Sequence, residues 1–396
     1  MKKILALVLV LALCLTAAAS LADGVAKEDI KLGVITLHDE LSTYDKNFID
    51  AVKQAAANLG LTEDQYVIVS GIEESEACYS KAAELAEEGC QLVFADSFGH
   101  EDFMIKAAKE FPEVDFCHAT GTKAHTEGVA NFHNAFASIY EGRYLAGVAA
   151  GLKLNEIKAA GNLKGEFPLV GYVGAFPYAE VKSGYTSFYL GVKSVCPDVQ
   201  MKVIFTQSWY DYEAERSAAK ALIAANCDLI SQHADSLGAP KACEEAGIPN
   251  ISYNGSTVVD CPNTFIVASR IDWVPYFEYI INQKIAGEAI ATDWTGTIAT
   301  GSVALTEINE QAAAEGTAAT LEEVKAELAA GTRKVFDTAT FTVKGETLTS
   351  YLADVDTDEA WTPDTEAIKD GAFDESTLRS APYFDIDIDG IEILNN

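Results

Sequence analysis

The side chains in this sequence that could do chemistry stand just past its apolar runs. Asp39, Tyr44, Asp45 and Asn47 follow the run at 32–36, and Ser97 and Phe98 follow the run at 92–95. Farther on, the same position holds Phe176 and Glu180, Trp209 and Asp211, His233 and Asp235, Asn254, and finally Asp272 and Trp273. An aromatic ring can stack on a flat ligand, and carboxylates or amides can read its N–H groups. Small-molecule sites are built in this way, from apolar walls and a few aimed polar groups. Each residue alone has a plainer reading: Trp273 could pack at a helix start, and Asp211 could cap its helix. Repetition of the pattern in both halves of the chain favours recognition.

Covalent chemistry has no such support. The sequence contains no GxSxG elbow, no HExxH helix and no GxxxxGK[ST] loop. Gly171-Tyr172-Val173-Gly174 follows a strand but lacks the third glycine of a dinucleotide loop. The six histidines show no i, i+4 pair, and His118, at a strand end, reads as structural. Asp385-x-Asp387-x-Asp389-Gly390 copies the first half of a calcium loop. Its twelfth position would be Asn396, however, and the alternation of Ile with Asp reads as an acidic edge strand. No enzymatic activity, no metal and no cofactor are expected.

The elements that must carry these residues alternate. Strand patterns at 32–36, 66–70, 92–95, 114–119 and 128–132 are separated by helical patterns at 45–59, 75–88 and 101–111, and a long helix at 139–154 follows. After a polar stretch at 155–166 the alternation restarts. Strands are expected at 169–174, 202–206, 229–232, 250–253 and 265–269, and helices at 180–195, 213–225, 237–246 and 273–290. Such alternation implies an α/β fold with parallel sheets covered by helices on both faces. In open sheets of this kind ligands sit at the carboxyl edge, which is where the residues above fall. A helix at 321–330, a hairpin pairing 335–336 with 340–344, and an acidic stretch packed on the second lobe complete the chain. The expected division is 31–145 plus 273–300 for a first lobe, 146–272 plus 301–345 for a second, and 346–396 for a C-terminal extension.

The N-terminus reads as an export signal over residues 1–22: Lys2 and Lys3, an apolar run at 4–15, and a small-x-small site at Ser20-Leu21-Ala22. Leu13 before Cys14 departs from a lipid-attachment motif, so the manner of anchoring stays open. Removing Lys2 and Lys3 moves the net charge from −32 to about −34. That charge repels nucleic acid and suits a soluble, extracytoplasmic monomer. Seven cysteines then remain, with no CxxC pair, and most read as buried thiols.

Several ordered blocks resemble the basic-membrane-protein family of solute-binding proteins. They include Phe98-Gly99, Phe111-Pro112-Glu113-Val114-Asp115-Phe116, His118-Ala119-Thr120-Gly121 and Tyr140-Glu141-Gly142-Arg143-Tyr144-Leu145-Ala146-Gly147. Gln207-Ser208-Trp209-Tyr210-Asp211 and Gln232-His233-Ala234-Asp235-Ser236 continue the match. The resemblance implies a type I periplasmic-binding-protein fold, two Rossmann-like lobes on a three-strand hinge. It also implies a purine nucleobase or nucleoside as ligand and an ABC permease as partner; a sensor module serving a membrane receptor is the alternative. By position, Tyr44 and Phe176 resemble stacking residues, and Ser97, Trp209, Asp211 and Asp235 resemble groups near the ligand. The nucleoside-binding branch has a lysine near the last strand that contacts ribose. Asp272 stands there in this sequence, which favours a nucleobase or another flat polar ligand.

Overall fold

The short run Leu-Gly-Val-Ile at Leu32–Ile35 (β1) is buried on both faces, as a parallel strand must be when helices cover both sides of its sheet. The same holds for Leu92–Ala95 (β3). The computed structural model describes residues 24–355 and 363–395. The export signal, Cys14, residues 356–362 and Asn396 lie outside that range.

Between β1 and β3 run α1 (Thr43–Leu59), β2 (Tyr66–Val69) and α2 (Glu76–Glu87). After β3 come α3 (Glu101–Glu110), β4 (Asp115–Ala119), the single turn α4 (Ala124–Glu127) and β5 (Phe132–Ala137). Helix α1 starts where Ser42 accepts the Asp45 N–H and ends at left-handed Gly60. The second series is α5 (Ile139–Ala159), β6 (Leu169–Gly174), α6 (Ala179–Val195), β7 (Gln200–Phe205), α7 (Tyr212–Ala224), β8 (Leu229–His233), α8 (Gly238–Ala246), β9 (Asn250–Tyr253) and β10 (Phe265–Ile271). Then α9 (Val274–Ala286) returns to the first lobe and packs on α1, β11 (Asp293–Gly296) joins the first sheet and β12 (Val303–Leu305) the second, before α10 (Thr317–Ala329). The extension adds two small hairpins, β13 (Leu352–Ala353) with β14 (Thr365–Glu366) and β15 (Ile368–Lys369) with β16 (Ala372–Phe373), and the strand β17 (Ile391–Ile393).

The first sheet has the order β11-β5-β4-β3-β1-β2 and the second β12-β10-β9-β8-β6-β7-β17. All pairings within them are parallel except that of β10 with β12. Three passages join the sheets: β5 to α5, β10 to α9, and β11 to β12. They are tied to one another. The Ser138 N–H donates to Gly296 O at 2.8 Å, and the Asp272 N–H donates to Ser302 O at 2.7 Å. The Ile298 N–H donates to the Glu141 carboxylate at 2.7 Å.

Four expectations need correction. A boundary between residues 145 and 146 would cut α5, which packs as one piece on α6, β10 and β12; we place the division at its first turn. Strand β5 begins at Phe132 rather than at Gly128, because Gly128 is left-handed and closes α4. No ladder forms between 335–336 and 340–344, where only an isolated Val343–Glu346 bridge occurs. The acidic stretch at 385–389 is irregular, and the edge strand it was expected to form is β17, which pairs with β7. Asp389 caps the turn at 342–345 through Thr342 Oγ1 and the Lys344 and Gly345 N–H groups. No cluster of three or more metal-ligating side chains exists among the described residues.

A candidate ligand cleft between the sheets

The carboxyl ends of the two sheets face each other across a narrow cleft. Leu37, His38, Tyr44 and Asp45 line it from the segment after β1, Ser97 and Phe98 from that after β3, and Thr120 from that after β4. Opposite them stand Glu180, Trp209, His233, Asp235 and Tyr253. The lobes are closed on one another: the Thr43 N–H donates to Asp235 O at 3.0 Å, and the Phe98 and Tyr178 rings approach to 5.5 Å.

Each side chain is held in place. The Tyr44 hydroxyl donates to Asp96 O at 2.7 Å. Two buried histidines fix the Ser97 turn: His100 Nδ1 receives the Ser97 N–H, and His118 Nε2 donates to Ser97 O at 2.7 Å. Burial pushes both imidazoles down to about 4, so both are neutral and structural. The Ser97 hydroxyl donates to Glu74 at 2.6 Å. Burial works against ionisation of Asp45, yet hydrogen bonds from His38 and Ser42 outweigh it and hold the carboxyl below its usual range. Phe176 stacks on Tyr178 at 5.0 Å and meets Trp209 edge-on at 5.1 Å, so the Trp209 wall is braced from behind.

On the second lobe, His233 Nε2 lies 3.2 Å from Glu180 Oε1. Burial and the Arg143 charge push His233 down to about 4, so this neutral ring donates to the carboxylate. Beneath, the Arg143 guanidinium lies 3.3 Å from the centre of the Tyr253 ring and donates to Gln232 O at 2.9 Å. Glu215 accepts the Ser236 N–H and fixes the turn that carries Asp235. The Asp235 carboxyl has no hydrogen-bond partner among the described residues. Burial first, then the charges of Asp45, Glu215 and Glu180, raise it well above the carboxylate range. Buried Thr120 Oγ1 and Tyr253 OH are likewise unpartnered in the protein. Thr120 sits at φ 69°, a left-handed conformation that costs a β-branched residue energy and is found at functional sites.

The cleft brings together Tyr44, Ser97, Phe98, Glu180, Trp209, His233 and Asp235 of the strand-end pattern, with Asp45 beside them. Phe176 stands one layer back. Asp211 caps α7 through the Ala214 N–H. Asn254 is left-handed, and its N–H donates to Ser269 O. Asn47 donates to Ile271 O at 2.6 Å, while Asp272 pairs with Arg270 at 3.0 Å and accepts the Val274 N–H. Trp273 is 1% exposed and stacks on Phe48. Those residues do not line the cleft. Leu37, His38, Thr120 and Tyr253 line the cleft but lie outside the pattern.

These titrations set a pH dependence of stability. Burial raises Glu141 and Glu215 to about 7 and Glu375 to about 8. The folded chain therefore keeps protons that the unfolded chain, with carboxyls near ~4.3, has lost, and stability falls as pH rises through the folded values. The depressed imidazoles act in the opposite sense, but only below their unfolded value of about 6.5. The melting temperature is expected to fall between about pH 6.5 and pH 8.5; a scan that is flat or rising there would show these carboxyls to be solvated.

The Bmp family, described as ABC transporter substrate-binding protein PnrA-like, matches residues 22–334 of this chain. The chain is 35% identical over 255 residues to a purine-binding protein of Brucella abortus (strain 2308), covering 64% of this chain and 68% of that one. It is 30% identical over 239 residues to a candidate ABC transporter glucose-binding protein of Haloferax volcanii, covering 60% of this chain and 56% of that one. Among solved structures, an ABC transporter solute-binding protein from Aeropyrum pernix K1 superposes with a TM-score of 0.63 at 18% identity, over 78% of this chain and 93% of that one. The architecture is that of type I periplasmic solute-binding proteins.

Proposed function

Because the chain belongs to the Bmp family of ABC transporter substrate-binding proteins, we propose that it captures a purine-like molecule in the closed cleft and yields it unchanged to a membrane permease. One observation carries the choice of ligand. Aromatic rings from both lobes, Tyr44 and Phe98 on one side and Trp209 on the other, flank a buried, unpartnered Asp235 carboxyl. That combination suits a flat ring bearing N–H groups: the rings stack on its faces, and Asp235 and Glu180 accept from its edge. Thr120 offers a buried hydroxyl without a partner in the protein. The relative named for purine binding supports this reading, and the one named for glucose supplies the alternative to be tested.

The Thr43–Asp235 bond and the Phe98–Tyr178 contact exist only with the lobes together. Hinge closure of this kind would report occupancy to the permease from outside the cytoplasm. Catalysis is not part of this reading, and no described helix is long and apolar enough to cross a membrane. A thermal-shift panel of purine bases, nucleosides and glucose tests the ligand. A purine at about a hundredfold over its dissociation constant adds about 2.7 kcal/mol of stability. A shift with glucose and none with any purine would overturn the reading.

A further inference from the structure

The C-terminal extension lies beyond residue 334, where the family match ends. It was expected to pack on the second lobe, and its firmest attachments are there. Strand β17 adds a parallel edge to β7, and the Asn395 amide closes the ladder on the Phe205 N–H and O, both at 2.8 Å. Phe384 stacks on Phe336 at 4.4 Å, and Ile386 and Ile388 are buried. Lys182 of α6 pairs with Asp385 at 2.7 Å and Asp387 at 3.0 Å.

The extension also holds the first lobe, which corrects that expectation. The Ser380 N–H and hydroxyl both donate to Asp293 Oδ1 of β11, at 2.9 and 2.8 Å. Thr295 of the same strand donates to Ser376 O at 3.3 Å. His125 of α4 donates through Nε2 to Val355 O at 3.0 Å, and its Nδ1 lies 3.3 Å from Asp293 Oδ2. The polar ties to this lobe therefore gather on one carboxylate.

The segment between the two attachments keeps its own shape. The Tyr383 N–H donates to the buried Glu375 carboxyl at 2.9 Å, and Arg379 donates to the backbone oxygens of Ala381 and Pro382. At the hinge, the Tyr140 hydroxyl of α5 donates to Glu375 O at 3.3 Å. The attachments differ in kind. Hydrogen bonds to Asp293 can be exchanged for bonds to water at small net cost, whereas parting β17 and Phe384 from the second lobe would break a ladder and expose apolar surface.

We infer that the extension is a latch that travels with the second lobe and holds the lobes closed by seating Ser380 on Asp293 of the first. Opening breaks the Ser380 and Ser376 bonds and leaves β17 in place. The latch acts on lobe closure whatever ligand the cleft takes.

Small-angle X-ray scattering of the ligand-stripped mature chain, with hydrogen exchange read by mass spectrometry, tests this in Asp293→Ala. The radius of gyration is expected to rise by about 1 Å, as the lobes part about their hinge. Exchange over residues 376–383 should quicken about tenfold or more, while residues 391–395 keep their protection. Ser380→Ala spares Asp293 and its pair with His125, and should shift both readouts the same way by less. Asp385→Asn combined with Asp387→Asn breaks an exposed pair on the other lobe and should change neither. A radius unchanged in both Asp293→Ala and Ser380→Ala would overturn the latch. So would joint loss of protection at 376–383 and 391–395, or equal opening in the second-lobe control.

Discussion

Asp235→Asn is expected to weaken purine binding by about a hundredfold, or about 2.7 kcal/mol, while leaving the melting temperature unchanged or higher. The two effects have one origin. The carboxyl lies in the cleft, 5% exposed, without a protein hydrogen bond to offset its desolvation, and Asp45, Glu215 and Glu180 surround it with like charge. Folding must therefore hold it against its preference for water, a cost that the uncharged asparagine lowers. In the proposed complex, N–H groups of the ligand would favour the ionised form of this carboxyl, so the amide would replace a charge-assisted bond with a neutral one. Its backbone contributions, including the bond accepted from Thr43, survive the substitution. Calorimetry and thermal unfolding of one preparation decide the matter. A loss of binding accompanied by a fall of several degrees would make Asp235 a structural residue.

Gly147→Ala is expected to destabilise the protein by about 3 kcal/mol or more, although alanine is the better helix former by about 1 kcal/mol. A Cβ at Gly147 would stand 2.1 Å from Phe188 O, and one at Gly191 would stand 2.1 Å from Tyr144 O. The backbones of α5 and α6 therefore touch, and no flexible side chain lies between them to yield. Since α5 leaves the hinge, separating the helices would also disturb the angle at which the lobes close. Urea unfolding against Gly165→Ala, whose new methyl would meet nothing nearer than 3.8 Å, gives the comparison. The control should stay within about 0.5 kcal/mol, and a Gly147→Ala protein as stable as its control would contradict the close approach.

The sheets were legible because parallel strands buried on both faces must be continuous apolar runs, as at Leu92–Ala95. Half of the cleft was legible for a related reason. Strand ends in an α/β sheet deliver their next residues to one edge, so Ser97, Trp209 and Asp235 could be placed by counting. Counting cannot tell which way a side chain turns once the strand has ended. Trp273 follows its strand much as Trp209 does, but it turns inward onto Phe48, because the chain there enters a helix packed on α1. Thr120 was obscured for the opposite reason: its place in the cleft depends on a left-handed backbone that threonine disfavours. The bridging course of the C-terminal extension depends on contacts across the fold, such as Ser380 with Asp293, for which no local pattern exists.

The measurement closest to the central claim is calorimetric titration of the ligand-stripped mature chain with a purine and, separately, with glucose. A single purine site per chain with a dissociation constant of about 1 μM or tighter, lost in Asp235→Asn, and no heat with glucose is the expected result. Saturable glucose binding with no heat from any purine would contradict it.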